Sequence, residues 1–215
     1  MKKVWDWQTR VLHWVIALLV ATLVLLIVAD AGMETIGVEK ALREPVKRVH
    51  AYTGYAFAFV FILRVIWGFL GNEYARWSDI VPYNRERWMA AGKNLRWYLG
   101  LLKGRPAEVM GHDPLASILY MILFLVFASQ ALTGLMLSGI EFKMFPASLF
   151  ARRLDPGTHE GIEEAFGEVH ESGFWYIIFF VAVHLFGLIV HEIREKKGLF
   201  SSMVHGGKQV PKEDA

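Results

Sequence analysis

Histidine is the residue type in this chain whose number and placement could support metal or cofactor chemistry. The sequence has eight histidines and no cysteine. Without cysteine there can be no disulfide, no thiolate zinc site, no iron–sulfur cluster and no covalently attached haem. Metal chemistry must therefore use His, Asp, Glu or Met side chains. Four histidines lie within or at the ends of long apolar stretches: His13, His50, His170 and His184.

Four apolar stretches are long enough to cross a bilayer, which needs about 20 apolar residues per helix. They cover residues 11–29, 49–70, 115–138 and 170–191. The chain as a whole is 54% hydrophobic, above the roughly 45–50% of soluble domains. Continuous runs without alternation favour helices over strands, and lipid offers backbone groups no partners. The sequence therefore predicts an all-α integral membrane four-helix bundle, one domain over residues 1–215 with a tail at 192–215.

Basic residues are distributed unevenly between the two sides of these spans. Fifteen Lys and Arg lie in the N-terminal arm, in the connection between the second and third spans and in the tail, against seven in the other two connections. The positive-inside rule then places both termini in the cytoplasm. The net charge of +2 gives no reason to expect nucleic acid as a partner.

The first span has an alternative interpretation as a cleaved signal peptide. Ala29-Asp30-Ala31 resembles a cleavage site, and cleavage there would remove His13. The apolar run is longer than the roughly 7–15 residues of a signal peptide. We therefore expect this span to be retained as the first membrane helix.

The connection after the second span is polar and basic, with Trp77, Trp88 and Trp97 spread along it. Residues Glu86 to Lys103 are predicted to form a short helix on the cytoplasmic side. That helix is either amphipathic and lies on the membrane surface, or it connects two spans beneath the bundle.

Helical spacing sorts the four span histidines into two pairs. His170 and His184 are 14 residues apart, which returns to nearly the same helix face after about 21 Å. His50 lies at the outer end of its span, level with His170. His13 lies 17 residues before Asp30, about 26 Å below the outer surface and close to the depth of His184. We therefore expect an outer pair and an inner pair.

Two pairs of imidazoles within a membrane indicate one kind of metal chemistry above others. A single span histidine can be a packing residue, but four together with no deep carboxylate argue against both simple packing and a proton-coupled transporter. Zinc would need three or four ligands close together. Paired imidazoles suit axial ligation of haem iron, and haem held by histidine alone is b-type. The predicted cofactors are two non-covalent b haems.

Five further residues fit a haem pocket. Gly54 lies one turn after His50, where a missing side chain would let a flat macrocycle approach, although close helix packing would also explain it. Arg64 shares the face of His50 about 21 Å further in, where a haem propionate would neutralise it unless it extends to the inner surface. Arg10, one turn before His13, is a second candidate for a propionate. Lys47 and Arg48 are equivalent candidates near the outer pair.

Several motifs resemble a known family. RVLHW at 10–14, VKRVHAYTG at 46–54, LRVIWGFLGNEYAR at 63–76, RWYL at 96–99, GHDP at 111–114 and SSMVHGGK at 201–208 are similar to motifs of the bacterial cytochrome b561 family. Within it, the chain resembles the b-type cytochrome subunit of membrane-bound nickel–iron hydrogenases over about residues 7–208.

The resemblance implies a multi-pass protein of the bacterial inner membrane. It also implies electron transfer between a periplasmic redox partner and membrane quinone through two b haems. It implies that His50 and His170 ligate the outer iron, and His13 and His184 the inner one. His191 competes with His184, because it shares its face about 10 Å deeper. His112 and His191 are candidate residues near the quinone.

Several alternatives remain at this stage. The acidic connection before the fourth span is also typical of relatives that serve periplasmic c-type cytochromes, so quinol could instead feed such a carrier. A haem-free membrane anchor of a redox complex is a further alternative, and association into a homo-oligomer is compatible with the sequence. Enzymatic activity, as quinone reductase or quinol oxidase, would belong to a complex rather than to this chain alone.

Overall fold

The computed structural model describes residues 2–100, 111–195 and 199–208. These ranges contain eight helices: α1 (Trp7–Thr35), α2 (Lys40–Leu70), α3 (Trp77–Ile80), α4 (Arg85–Leu99), α5 (Pro114–Glu141), α6 (Ser148–Ala151), α7 (Pro156–Glu195) and α8 (Leu199–His205). Two strands of two residues, β1 (Lys2–Lys3) and β2 (Gly207–Lys208), pair antiparallel. The prediction of an all-α fold is confirmed.

Four of the described helices are long and apolar enough to cross a membrane: Trp7–Thr35, Lys40–Leu70, Pro114–Glu141 and Gly157–Ile193. Many of their large apolar side chains, such as Leu18, Phe59 and Leu125, are exposed. Exposed apolar surface on this scale is expected where a helix faces lipid rather than water. The chain is thus a multi-pass membrane protein, as predicted.

The helices extend beyond the apolar stretches that the sequence shows. α7 begins at Pro156, where Asp155 Oδ1 accepts a hydrogen bond of 3.1 Å from the backbone N–H of Thr158. Proline is favoured at the first helical position, and the glutamates that follow Pro156 in α7 are good helix formers. Hydropathy therefore locates the part of α7 that lies in lipid, whereas capping locates where the helix starts.

The chain divides into two compact units. The central unit comprises residues 13–63 and 125–177. Its core is built on aromatic side chains of α2 and α5, where Phe57 stacks on Phe61 at 5.9 Å between ring centres and Phe127 meets Phe57 edge-on at 5.0 Å. Such edge and offset contacts stabilise a core beyond the burial of area alone.

The terminal unit comprises residues 1–12, 64–124 and 178–215, of which the described part contains α3, α4, α8 and both strands. Gly206, with φ of 85°, accepts hydrogen bonds at its carbonyl from the N–H groups of Val4 and Trp5. Asn72 Nδ2 donates to Val4 O at 2.7 Å. The N-terminal arm is thereby bonded both to the tail and to the turn that follows α2.

The predicted short helix of the inner connection is present as α4. It begins at Arg85, after the Asn84 side chain accepts from Arg87 N, and ends at Leu99. The final residues of the predicted helix, up to Lys103, lie outside the described residues, as do Arg105, Lys196, Lys197 and Lys212 among the basic residues counted above. α4 buries Ala91, Asn94 and Trp97 against the protein.

Candidate functional site

The central unit brings His50 of α2 and His170 of α7 together. Their ring centres are 6.3 Å apart and their planes are inclined at 75°. Two metal–nitrogen bonds of about 2 Å, with each nitrogen about 1.2 Å from its ring centre, would separate two imidazoles on one metal by about 6.4 Å. The spacing of this pair therefore fits a single metal ion held between the two rings.

The hydrogen bonds of these two rings select the tautomer that a metal requires. His50 Nδ1 lies 3.2 Å from the carbonyl oxygen of Leu23, which can only accept, so Nδ1 carries the proton. His170 Nδ1 lies 2.8 Å from Thr133 Oγ1, whose own proton is donated to Ser129 O at 2.7 Å. Nδ1 of His170 is therefore also the donor. In both rings the lone pair is left on Nε2, the nitrogen that would ligate a metal.

Two glycines leave room beside these rings. A Cβ added at Gly134 of α5 would lie 3.1 Å from His170 Cε1, so the missing side chain lets the ring pack against the helix. A Cβ added at Gly54, one turn after His50, would meet no described atom within 4 Å. The α2 surface next to His50 is thus open, as a flat macrocycle would require.

In the terminal unit, α5 supplies a second hydroxyl to a histidine of α7. Tyr120 OH lies 3.4 Å from His184 Nδ1, and the Phe180 ring stacks on His184 with centres 5.7 Å apart. Thr133 and Tyr120 are 13 residues apart on α5, close to the 14 residues between His170 and His184 on α7. The two helices therefore repeat the same hydroxyl–imidazole contact at two levels.

His13, the predicted partner of His184, belongs to the central unit. It is half-buried on α1, and its ring meets Trp14 edge-on with centres 5.3 Å apart. The structure thus brings His50 and His170 together directly, whereas the assignment of His13 and His184 to one pair still rests on helical spacing and on the resemblance.

Arg64 is buried and only partly satisfied by the described protein atoms. Its side chain is 8% exposed, and Nη2 donates to Ala75 O at 3.4 Å. The guanidinium carbon lies 5.4 Å from the centre of the Phe124 ring and 5.9 Å from that of Trp77. Nη1 has no hydrogen-bond partner within the described ranges. A buried cation with a free donor is the setting in which an anionic group is bound.

Arg10, like Arg64, has a buried guanidinium nitrogen that no described protein atom binds. Its Nη1 donates to the carbonyl oxygen of Val204 in α8, while Nε is buried and has no hydrogen-bond partner in the part of the chain that the structure describes. Both arginines belong to the terminal unit. Each offers a donor to a negatively charged group.

His191, the competitor of His184, is engaged with α4. Its Nε2 lies 2.9 Å from Tyr98 OH, and its ring lies 5.6 Å from Trp97 between centres. These contacts give His191 a role in docking α4 on α7. They favour His184 as the ligand, because Nε2 of His191 already has a hydrogen-bond partner.

His112 forms a dyad with Asp79 just before α5. Asp79 Oδ2 accepts from His112 Nδ1 at 2.7 Å and from its backbone N–H at 3.0 Å, while Oδ1 accepts from Arg87 Nη2 at 2.7 Å. Burial alone would raise the pKa of Asp79, but the contacts with His112 and Arg87 lower it by more. The pKa of Asp79 therefore lies below its usual value. Burial lowers the pKa of His112 despite the carboxylate. The dyad thus pairs an ionised Asp79 with a neutral His112.

The sequence did not identify the partners of the histidine rings. Thr133, Tyr120 and the Leu23 carbonyl orient the three rings, and Asp79 orients His112. The near-equal spacing of Tyr120 and Thr133 on α5 and of His170 and His184 on α7 is the sequence signal that could have suggested the two hydroxyls. Among the described residues no group of three or more His, Asp and Glu side chains is placed to hold a metal ion.

Long apolar helices able to cross a membrane, two of which hold the oriented imidazole pair His50–His170, are typical of membrane proteins of the b-cytochrome class. The family described as prokaryotic cytochrome b561 matches residues 4–206. The chain belongs to this family, and its cofactor is accordingly haem b.

Named relatives are similar over nearly the whole chain. A probable Ni/Fe-hydrogenase B-type cytochrome subunit of Azotobacter vinelandii is 30% identical, with 98% of this chain and 89% of the relative covered. The corresponding protein of Cupriavidus necator is 28% identical, with 94% and 85% covered. The probable Ni/Fe-hydrogenase 1 B-type cytochrome subunit of Escherichia coli K12 is 29% identical, with 75% and 69% covered. No solved structure matches the chain.

Proposed function

We propose that this chain is the di-haem cytochrome subunit of a Ni/Fe-hydrogenase and carries electrons across the inner membrane between the hydrogenase and quinone. The observation that carries the proposal is the His50–His170 pair, whose ring centres are 6.3 Å apart with both Nδ1 atoms committed as donors. Haem b, when bound, supplies a one-electron iron couple. The protein contributes oriented ligands, spacing and a dry interior.

The four ligands are assigned to two haems. His50 and His170 hold the outer haem, with Gly54 leaving space for the macrocycle. His13 and His184 hold the inner one, supported by the 14-residue spacing on α7 and by the hydroxyl of Tyr120 on His184 Nδ1. Because Nδ1 of His50, His170 and His184 each lies within hydrogen-bond distance of a protein oxygen, the protein rather than the haem fixes the orientation of these three rings.

Arg64 and Arg10 bind the haem propionates. Each has a buried guanidinium nitrogen without a hydrogen-bond partner among the described residues. A carboxylate placed there would neutralise a cation that is otherwise costly at membrane depth. The aromatic walls of Trp77 and Phe124 shield Arg64 from water.

His112 is the favoured proton-exchanging residue on the quinone side. Asp79 holds its Nδ1, which leaves Nε2 as the nitrogen that exchanges a proton, as in other carboxylate–histidine dyads. His191 is the second candidate, although its Nε2 is bonded to Tyr98. Quinone reduction takes up two protons with two electrons, so a residue able to hold a proton is needed beside the quinone.

Both termini are assigned to the cytoplasm, and the hydrogenase to the periplasmic side. The assignment rests on the excess of Lys and Arg in the arm, the inner connection and the tail. The names of the relatives favour a hydrogenase as partner. A periplasmic c-type cytochrome is the second candidate, favoured by the exposed carboxylates at the start of α7, namely Glu160, Glu163, Glu164 and Glu168.

The purified full-length protein tests the haem assignment. We expect a Soret band, two haems per chain, and the loss of one haem in each of His50→Ala and His184→Ala. His191→Ala serves as the matched control and should keep both haems. A haem-to-protein ratio near one in the unaltered protein would disprove the two-haem proposal, as would a protein without a Soret band. If His191→Ala loses a haem and His184→Ala does not, the inner ligand is wrongly assigned.

The partner is tested by isolating the protein from membranes of its source cells under mild conditions. Co-purification with hydrogenase subunits is expected. Rapid reduction of a basic c-type cytochrome by quinol, abolished by salt and without any bound hydrogenase, would support the second candidate instead.

A further inference from the structure

A buried ion pair joins the outer ends of α1 and α2. Arg43 Nε donates to Asp30 Oδ1 at 3.0 Å and Arg43 Nη2 donates to Asp30 Oδ2 at 2.9 Å, which is the bidentate fork geometry. Asp30 is 5% exposed and Arg43 is 8% exposed. The exposed Glu34 contacts the same guanidinium at 2.8 Å from Nη1. None of these residues belongs to the haem site described above.

The ion pair and the His50 ring contact have matching positions on the two helices. Leu23 and Asp30 are seven residues apart on α1, and Arg43 and His50 are seven residues apart on α2. Seven residues are about two helical turns, or about 10.5 Å. In an antiparallel helix pair, contacts with this spacing belong to one register. Sliding one helix by a single turn would break the ion pair and the His50–Leu23 hydrogen bond together.

Stability alone is a poor explanation of this ion pair. Burying two charged groups carries a large desolvation cost. A protein with a well-packed apolar pair in place of a buried ion pair is therefore often equally stable. What a buried polar pair adds is a unique register, because apolar surfaces can slide whereas a bidentate pair cannot. The ion pair between Arg48 and Glu44 lies within α2 and is exposed, so it cannot fix α2 against α1.

We propose that Asp30 and Arg43 are positioning residues that set the orientation of His50. They hold α2 at the height at which the Leu23 carbonyl accepts the Nδ1 proton of His50. That hydrogen bond in turn fixes the plane of the ring and the basicity of Nε2. The inference rests on the proposed function, since it takes His50 as a ligand of the outer haem.

The test uses the full-length protein with its haems, purified from membranes, and three kinds of variant. Asp30→Asn and Arg43→Gln each break the ion pair. The double variant Asp30→Arg with Arg43→Asp restores it with the charges exchanged. Glu34→Gln is the matched control, because it removes an exposed carboxylate from the same guanidinium. The low-spin EPR signals and the redox titration of the two haems are measured, with His50→Ala identifying the outer one.

We expect Asp30→Asn and Arg43→Gln to shift or broaden the EPR signal of the outer haem and to shift its midpoint potential. The inner haem and Glu34→Gln should be unchanged, and the exchanged pair should regain the original signal. The inner haem serves as an internal report that each variant is folded.

Three results would overturn the inference. One is an unchanged outer haem in both single variants. Another is an equal disturbance of both haems, which would indicate a general folding role. The last is an exchanged pair that regains the thermal stability but not the signal. A protein with fewer than two haems before any substitution would instead count against the proposed function.

Discussion

Replacing Thr133 by valine should weaken the binding of the outer haem and leave the inner haem unchanged. Thr133 Oγ1 is the acceptor for His170 Nδ1 at 2.8 Å. Valine has nearly the same shape but no hydroxyl, so the change removes the acceptor without creating a cavity. The Nδ1 proton of His170 then loses its acceptor at a buried position, because Thr133 is 6% exposed.

The magnitude follows from that lost hydrogen bond. Leaving a buried donor unsatisfied costs about 1–3 kcal/mol, and a tenfold change corresponds to about 1.4 kcal/mol. The outer haem should therefore bind about 10–100-fold more weakly, which is also the usual effect of removing a partner of a metal-bound histidine. Tyr120→Phe should have a smaller effect on the inner haem, because its contact with His184 Nδ1 is longer at 3.4 Å.

Transfer of haem from the purified protein to apomyoglobin provides the assay, since the absorbance change reports each haem as it leaves. The unaltered protein should show two phases of haem loss, and Thr133→Val should accelerate one of them about 10–100-fold. Thr133→Ser keeps the hydroxyl and is the control that should resemble the original protein. If both phases keep their rates in Thr133→Val, the hydroxyl is not a partner of a ligand and the reasoning is refuted.

Two further predictions concern the inner connection. The pKa of Asp79 and the pKa of His112 both lie below their ordinary values, so the pair stabilises the folded state at neutral pH and loses that effect as the pH falls below the ordinary histidine value of 6.5. The melting temperature should therefore fall between pH 7 and pH 5, less steeply in His112→Asn; parallel curves would contradict this. α4 should lie in the membrane surface, because the exposed Trp88, Leu95 and Leu99 share one face of the helix, whereas the exposed Arg96 lies about 80° away around it. The natural absence of cysteine allows spin labels at single introduced cysteines. A label at Trp88 should be accessible to oxygen and a label at Arg96 to a water-soluble nickel complex, and equal accessibility to the nickel complex would show that α4 stands clear of lipid.

The membrane helices could be predicted because their signal is local. Apolar runs of sufficient length have one solution in lipid, so the four long helices and their order follow from residues 11–29, 49–70, 115–138 and 170–191. The start of α7 at Pro156 and that of α2 at Lys40 did not follow, because those first turns are polar. Capping and helix propensity decide such ends, and hydropathy does not detect them.

The histidines of the candidate site could be predicted by type and spacing, whereas their surroundings could not. A polar or ionisable side chain within an apolar span is unfavourable in lipid, so a histidine there is easily recognised in a sequence. The Leu23 carbonyl does not, since every residue has one, and Thr133 and Asp30 become meaningful only once the register between helices is known. The register between two helices depends on how segments distant in the chain pack together. The spacing of residues within one helix carries no information about that packing.

The pairing of β1 with β2 constrains how many times the chain crosses the bilayer. Lys3 faces Gly207 in this ladder, so residues near both ends meet on the same side of the membrane. A chain that begins and ends on the same side of a membrane must cross that membrane an even number of times. Loss of any single long helix would therefore do more than remove a histidine, since it would leave the two strands in different compartments and prevent their pairing.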